Sequence, residues 1–243
     1  MHAPLTQPIE ASSPLFKARM AGFFWLMTII TGMFGFIAVG GFVVPGDAAA
    51  TATNITAHES LARWAFAANI IATASYLCVT VLVYDLLRPV NRTVAFLGVL
   101  VSLLGCAEGS VSALLFFAPV YLLGGAPHLA AFTAQQLQAQ ALTLVNLSLL
   151  VNNVGMAFFG MHVLSIGYLI RRSNFLPRIL GTLLVVGGVF YLANSFADFL
   201  ALPFKAYLFP LAGASCLLGE GSVTVWLLVK GVNIKRWNEQ IAE

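Results

Sequence analysis

AGFFWLMTIITGMFGFIAVGGFVV, residues 21–44, runs for 24 positions without one charged side chain. As a helix it reaches about 36 Å at 1.5 Å per residue, enough to cross the roughly 30 Å hydrocarbon core of a bilayer. Lys17 and Arg19 stand before it and Ala48-Ala49-Ala50 after it, an arrangement that imitates a secretory signal. The apolar part of a signal is only about 7–15 residues long, so the run is read as a retained span.

Five more runs of this kind follow, at 64–87, 93–117, 140–169, 176–199 and 206–229. Over all 243 residues, 60% are hydrophobic and 9% charged, against about 25% charged in soluble domains. The mean hydropathy of +0.91 agrees. A soluble globule has too little polar surface here to clothe it, whereas lipid accepts apolar exteriors and penalises charge. The predicted fold is therefore all-α, a polytopic membrane bundle of six transmembrane helices forming one domain over residues 17–243. Residues 1–16 are polar and hold three prolines, and are expected to be disordered or to lie on the surface.

The breaks carry helix-stop chemistry. Pro45-Gly46-Asp47 ends the first run, and Arg88-Pro89-Val90-Asn91-Arg92 links the second to the third. Pro119, Gly124-Gly125 and Pro127 interrupt the chain before the fourth, and Ser173-Asn174 with Pro177 reads as the cap opening the fifth. The polar start Gln135-Gln136-Leu137-Gln138 predicts that helix 4 projects beyond the outer face. In the outer loop, Thr53-Asn54 reads as the cap of a short helix that carries His58, Glu59 and Arg63.

Counting Lys and Arg by loop places Lys17, Arg19, Arg88, Arg92, Arg171, Arg172, Arg178, Lys230, Lys235 and Arg236 on one side. Only Arg63 and Lys205 fall on the other. The positive-inside rule then predicts cytoplasmic N and C termini. No basic run marks a nucleic-acid partner. Cys78, Cys106 and Cys216 lie inside apolar runs without a CxxC, so neither a disulfide scaffold nor a metal site is expected. His2, His58 and His128 fall outside the spans, which leaves a bis-histidine haem unsupported, and no cofactor is assigned.

Polar residues inside the spans are expensive and so informative. Asp85 stands three residues before Arg88, the spacing of a local ion pair. Glu108 lies near mid-membrane on helix 3, among Gly105, Gly109 and Ser112. Glu220 on helix 6 shares a face with Gly213, Cys216 and Thr224. No lysine or arginine lies at comparable depth, so each carboxyl is expected to be neutral and hydrogen-bonded inside the bundle. With His162 on helix 4, these are candidate intramembrane acid/base or proton sites. The plain alternative is a hydrogen-bonded structural group in each case. Gly187, Tyr191, Asn194 and Asp198 share a face of helix 5, as Asn69, Thr73, Tyr76 and Thr80 share one of helix 2. Together they predict a polar vestibule opening outward, with His58, Glu59 and Arg63 as a candidate lid. Interhelical hydrogen bonding and a solvated helix face are the alternatives.

The motifs Arg19-Met20-Ala21-Gly22, Asp47 with Thr53-Asn54-Ile55 and His58-Glu59, and Leu87-Arg88-Pro89-Val90-Asn91 recur in a recognisable order. Phe159-Gly160-Met161-His162, Gly167-Tyr168-Leu169-Ile170, Leu176-Pro177-Arg178, Gly219-Glu220 and Lys230-Gly231-Val232 continue it. Over nearly its whole length the chain resembles the bacterial membrane family called domain-of-unknown-function 4386. The resemblance implies a bacterial cytoplasmic (inner) membrane as the location and places His58, Glu59, His162 and Glu220 in the family pattern, but implies no activity.

Three functions remain open. The first is binding or transport of a small or lipid-like molecule through the vestibule. The second is an intramembrane enzyme using Glu220 or Glu108 with His162. The third is a structural or assembly subunit that packs on other membrane proteins or on copies of itself. The partners expected are the lipid bilayer, a small-molecule or lipid ligand, and a homo-oligomer or other membrane proteins.

Overall fold

In the computed structural model, which describes residues 13–242, the chain is helical almost throughout. Six long helices are apolar enough to cross a membrane. They are α1 (Pro14–Phe42), α3 (Glu59–Leu87), α4 (Arg92–Leu123), α5 (Ala134–Arg172), α6 (Arg178–Phe199) and α7 (Lys205–Val229). Two short α-helices, α2 (Ala48–Ala57) and α8 (Ile234–Ala242), and a 3-10 turn at Pro127–Leu129 complete the described chain. The expectation for residues 1–16 falls, for residues 1–12, outside the described residues, whereas residues 14–16 already belong to α1.

Each spanning helix packs on the next in the chain, and α7 returns to α1. The six therefore form a closed ring in the order α1, α3, α4, α5, α6, α7. Lipid tails attract apolar surfaces as well as a neighbouring helix does, so close backbone approach must supply the contact. Between α5 and α6 it comes from glycines seven residues apart on each helix. A Cβ on Gly181 would stand 2.5 Å from the Gly167 carbonyl oxygen, and one on Gly188 would stand 2.8 Å from that of Gly160. Large apolar side chains such as Ile30, Ile37, Leu114 and Val225 point outward from the ring.

At the terminus end, Lys17 Nζ pairs with Asp85 Oδ2 at 2.6 Å. Asp85 reaches Arg88 at only 3.7 Å, so the local pair read from the sequence is secondary to one joining α1 to α3. Helix α8 was not expected. Its Trp237 donates Nε1–H to the Leu86 carbonyl at 3.0 Å, which ties the C-terminal segment to the turn between α3 and α4.

The opposite end is closed by α2, packed against α4 and α5. Thr51 and Ile55 are buried there. The helix is capped by Asp47, whose carboxylate accepts from the Ala50 amide at 2.9 Å. Thr53, expected as the cap, instead lies inside the helix and donates back to the Ala49 carbonyl. Likewise Ser173 closes α5, its hydroxyl donating to Ile170, while Pro177 holds the N-cap position of α6. Pro119 does not break the chain: α4 continues through it to Leu123, as spanning helices allow. The polar start of α5 is helical from Ala134, fixed by a reciprocal Thr133–Gln136 capping box.

Two predictions follow from this arrangement. His58, His128 and Asn174 are exposed, whereas Ser173 is buried. If the termini are cytoplasmic, as the loop charges predict, single cysteines at 58 and 128 should react with an impermeant thiol reagent added outside cells, and one at 174 only after the membrane is breached. The reverse pattern would overturn the orientation. Gly181→Ala is expected to lower stability by about 1–3 kcal/mol through overpacking, read as a fall in Tm. Gly213→Ala, where an added Cβ meets nothing within 4 Å, should stay within about 0.5 kcal/mol.

Candidate functional site

Glu220 lies inside the ring on α7, 8% exposed. Its partners come from three helices. Trp25 on α1, fully buried, donates its indole N–H to Glu220 Oε2 at 2.8 Å. Tyr191 on α6 donates its hydroxyl to Oε1 at 3.1 Å. Cys216, one turn away on α7, reaches Oε1 at 3.2 Å, and the Tyr191 hydroxyl also meets Cys216 Sγ. Among the described residues the ion pairs all lie at the ends of the bundle, so no cation neutralises this carboxyl.

The local sequence explains the placement. The four-residue step from Cys216 to Glu220 sets both on one face of α7. On α1, Ala18, Ala21, Gly22 and Trp25 form the buried stripe. A Cβ on Gly22 would stand 2.9 Å from the Leu228 amide nitrogen, so α1 and α7 nearly touch there and the indole is carried to the carboxyl.

Tyr76 of α3 adjoins this centre. Its ring sits edge-on to Trp25 at 6.2 Å, to Phe159 at 5.0 Å and to His162 at 5.6 Å. His162 Nδ1 lies 2.8 Å from the Gly98 carbonyl. A carbonyl only accepts, so Nδ1 carries the hydrogen and Nε2 presents a lone pair. Among the described residues that Nε2 is buried without a hydrogen-bond partner, as are Tyr76 Oη and Thr224 Oγ1. Buried polar atoms without a partner in the chain are uncommon. A hollow of about 10 Å³ beside His162, lined also by Thr80, Gly98 and Ser165, is at the lower limit for one water.

The structure thus brings together Glu220, Tyr76, Tyr191 and His162 from the sequence-derived candidates. Others stand apart. Glu108 is half-buried on α4, opposite α7 in the ring, with its Cβ facing Gly155. It makes no hydrogen bond among the described residues. Asn69 donates to Ala65 of its own helix and packs over Gly35. Asp198 is held at the end of the ring by Asn153 at 2.9 Å and Lys205 at 2.8 Å, with Asn194 one turn away and half-buried. The His58, Glu59 and Arg63 cluster is exposed. Arg63 pairs with Glu59 at 2.7 Å and lies 5.7 Å above the Phe117 ring, while His58 Nδ1 meets the Asn54 carbonyl.

Trp25 escaped the sequence reading because an indole inside an apolar run looks like one more lipid-facing aromatic. The available signal was depth: tryptophans favour the two interfaces, and this one lies two turns past Lys17.

The profile of the family described as "Domain of unknown function (DUF4386)" matches residues 20–231. The chain belongs to this family. Glu220, its partners Trp25, Tyr191 and Cys216, and the adjoining Tyr76 and His162 all fall within the part of this DUF4386 chain that matches. A curated relative, an "Uncharacterized protein" from Archaeoglobus fulgidus, is 29% identical over 79 residues. That match covers 32% of the DUF4386 chain and 45% of the relative, so the chain spans less than half of that protein's length. No solved structure matches.

Trp25→Phe keeps an aromatic ring but removes the donor to Glu220 Oε2. It is expected to cost about 1–3 kcal/mol, the range for a buried acceptor left unpaired, seen as a lower Tm. Combined with Glu220→Gln, the loss should fall short of the sum of the two. Strict additivity would show that the two side chains are not coupled.

Proposed function

We propose that this protein binds a small or lipid-like molecule inside the helix ring and moves it in step with a proton held at Glu220. The observation that carries the reading is a group of three buried polar atoms without partners among the described residues, Tyr76 Oη, His162 Nε2 and Thr224 Oγ1, beside the Glu220 network. Thr224 is one turn from Glu220, Tyr76 touches Trp25, and His162 touches Tyr76. A ligand with a polar group would supply the hydrogen bonds that the chain leaves open.

The network around Glu220 supports the proton role. Tyr191 Oη, Cys216 Sγ and Glu220 Oε1 make three mutual contacts. A neutral acid gives the trio three hydrogens, one for each contact, whereas a carboxylate leaves it two. Loss of the proton therefore forces one contact to open, which couples protonation to side-chain position. The enzyme reading has less support, because the Tyr76 ring stands against His162 and its Nδ1 is committed to Gly98. The crowding of ten of the twelve basic residues toward the terminus end supports cytoplasmic termini, and a bacterial inner membrane stays the proposed location. His58, Glu59 and Arg63 on the opposite end keep their proposed role as a lid, and Asn69, Asn194 and Asp198 theirs along the approach. Glu108 stays a second proton candidate, separate from the Glu220 centre.

The test uses native mass spectrometry on the chain purified in mild detergent. A bound small molecule is expected on the wild type, with occupancy that changes across pH. Glu220→Gln should keep the fold, at a cost under about 1.5 kcal/mol, and abolish the pH dependence. Tyr76→Phe removes an unpartnered hydroxyl, so Tm should hold or rise while occupancy falls at least about tenfold. Equal occupancy in the wild type and both variants would overturn the reading.

A further inference from the structure

At the terminus end, α5 finishes in Tyr168, Arg171 and Arg172, and α6 begins at Arg178. These four side chains line one open groove of about 510 Å³. The glycine contact described above brings them together: Gly181 lies against both the Gly167 carbonyl and the Arg171 side chain. The Arg172 guanidinium lies 5.9 Å from the centre of the Tyr168 ring, held from one side by a cation–π contact. All three arginines are exposed.

We propose that this groove binds the phosphate headgroup of an anionic phospholipid. Three guanidinium groups meet in it, yet among the described residues none has a carboxylate within ion-pair distance, since the four ion pairs all lie elsewhere. Arginine forks match the oxygens of a phosphate, and basic pockets between spanning helices are the usual form of headgroup sites. The first turn of α6 adds to the field: Pro177 offers no side-chain cap, so the positive end of that helix dipole remains open beside Arg178. The volume falls within the roughly 300–1,000 Å³ of small-molecule sites.

The positive-inside bias alone does not account for this. That bias asks for arginines near helix ends; it does not ask two helices to turn three of them into one groove without acidic partners. The surroundings favour a lipid over free phosphate. Tyr168, one turn before Arg171, and Ile179, next to Arg178, are exposed on the apolar surface of the helices. Acyl chains can follow that surface while the headgroup stays among the guanidinium groups.

The test is native mass spectrometry of the full chain in detergent, titrated with phosphatidylglycerol, phosphatidylcholine or inorganic phosphate. One phosphatidylglycerol per chain is expected to be retained at least about tenfold more strongly than phosphatidylcholine, which has a phosphate but no net charge. Arg172→Gln with Arg178→Gln should weaken phosphatidylglycerol at least about tenfold at unchanged Tm. If that double variant does not fold, Arg172→Lys with Arg178→Lys replaces it: the charge stays, the fork is lost, and a loss of at least about threefold is expected. Undiminished retention in the variant that folds would overturn the proposal, as would equal retention of the two lipids. Displacement of the lipid by inorganic phosphate at equal concentration would assign the groove to a free anion and overturn the lipid site. Glu220→Gln should leave this binding unchanged, so failure here and failure of the Glu220 reading are separate results.

Discussion

A carboxyl group inside an apolar helix ring must find its hydrogen-bond partners within the protein, and the partners of Glu220 come from helices far apart in the chain. Trp25 lies on the first span, Tyr191 on the fifth, and Cys216 beside Glu220 on the sixth. Those bonds join the helices where the ring closes, α7 against α1 and α6. The ring in turn fixes which residues can meet. Side chains on α3 and α5 reach the Glu220 centre only through the aromatic interior, with Tyr76 between Trp25 and His162.

Polar cost and packing divide the work in this fold. Where α5 meets α6, glycines let two backbones approach, and van der Waals contact holds the interface. Near Glu220 the contact is polar and directional. At the two ends, ion pairs to Asp85 and Asp198 link neighbouring helices where water lowers the cost of charge. Each kind of contact sits at the depth where its free energy is favourable.

The spans were legible because lipid imposes one simple demand, a long apolar run, and the six runs meet it. Their ends were less so. Pro119 reads as a stop in water but is carried inside a spanning helix, and Asp47 outranked Thr53 as a cap because its carboxylate precedes the helix in extended backbone. Within the site, Glu220, Tyr76, Tyr191 and His162 stood out because polar groups in apolar runs are costly. Stripes read on single helices could not show that α3 and α6 face each other across a ring, so Asn69 and Asp198 were grouped and the structure separates them. Trp25 and Lys17 were missed for opposite reasons. One hides a donor in an apolar ring, and the other looked like a topology signal alone.

The sequence distance between Trp25 and Glu220 also bears on how the protein is made. Trp25 enters the membrane with the first span, and its carboxyl partner follows 195 residues later with the last. Until then the indole hydrogen has no partner from α7, and the growing assembly is an open arc with two unfinished edges. Synthesis at about 5–20 residues per second leaves that arc waiting for roughly 10–40 s. The contact that closes the ring is thus among the latest that synthesis of these spans can make.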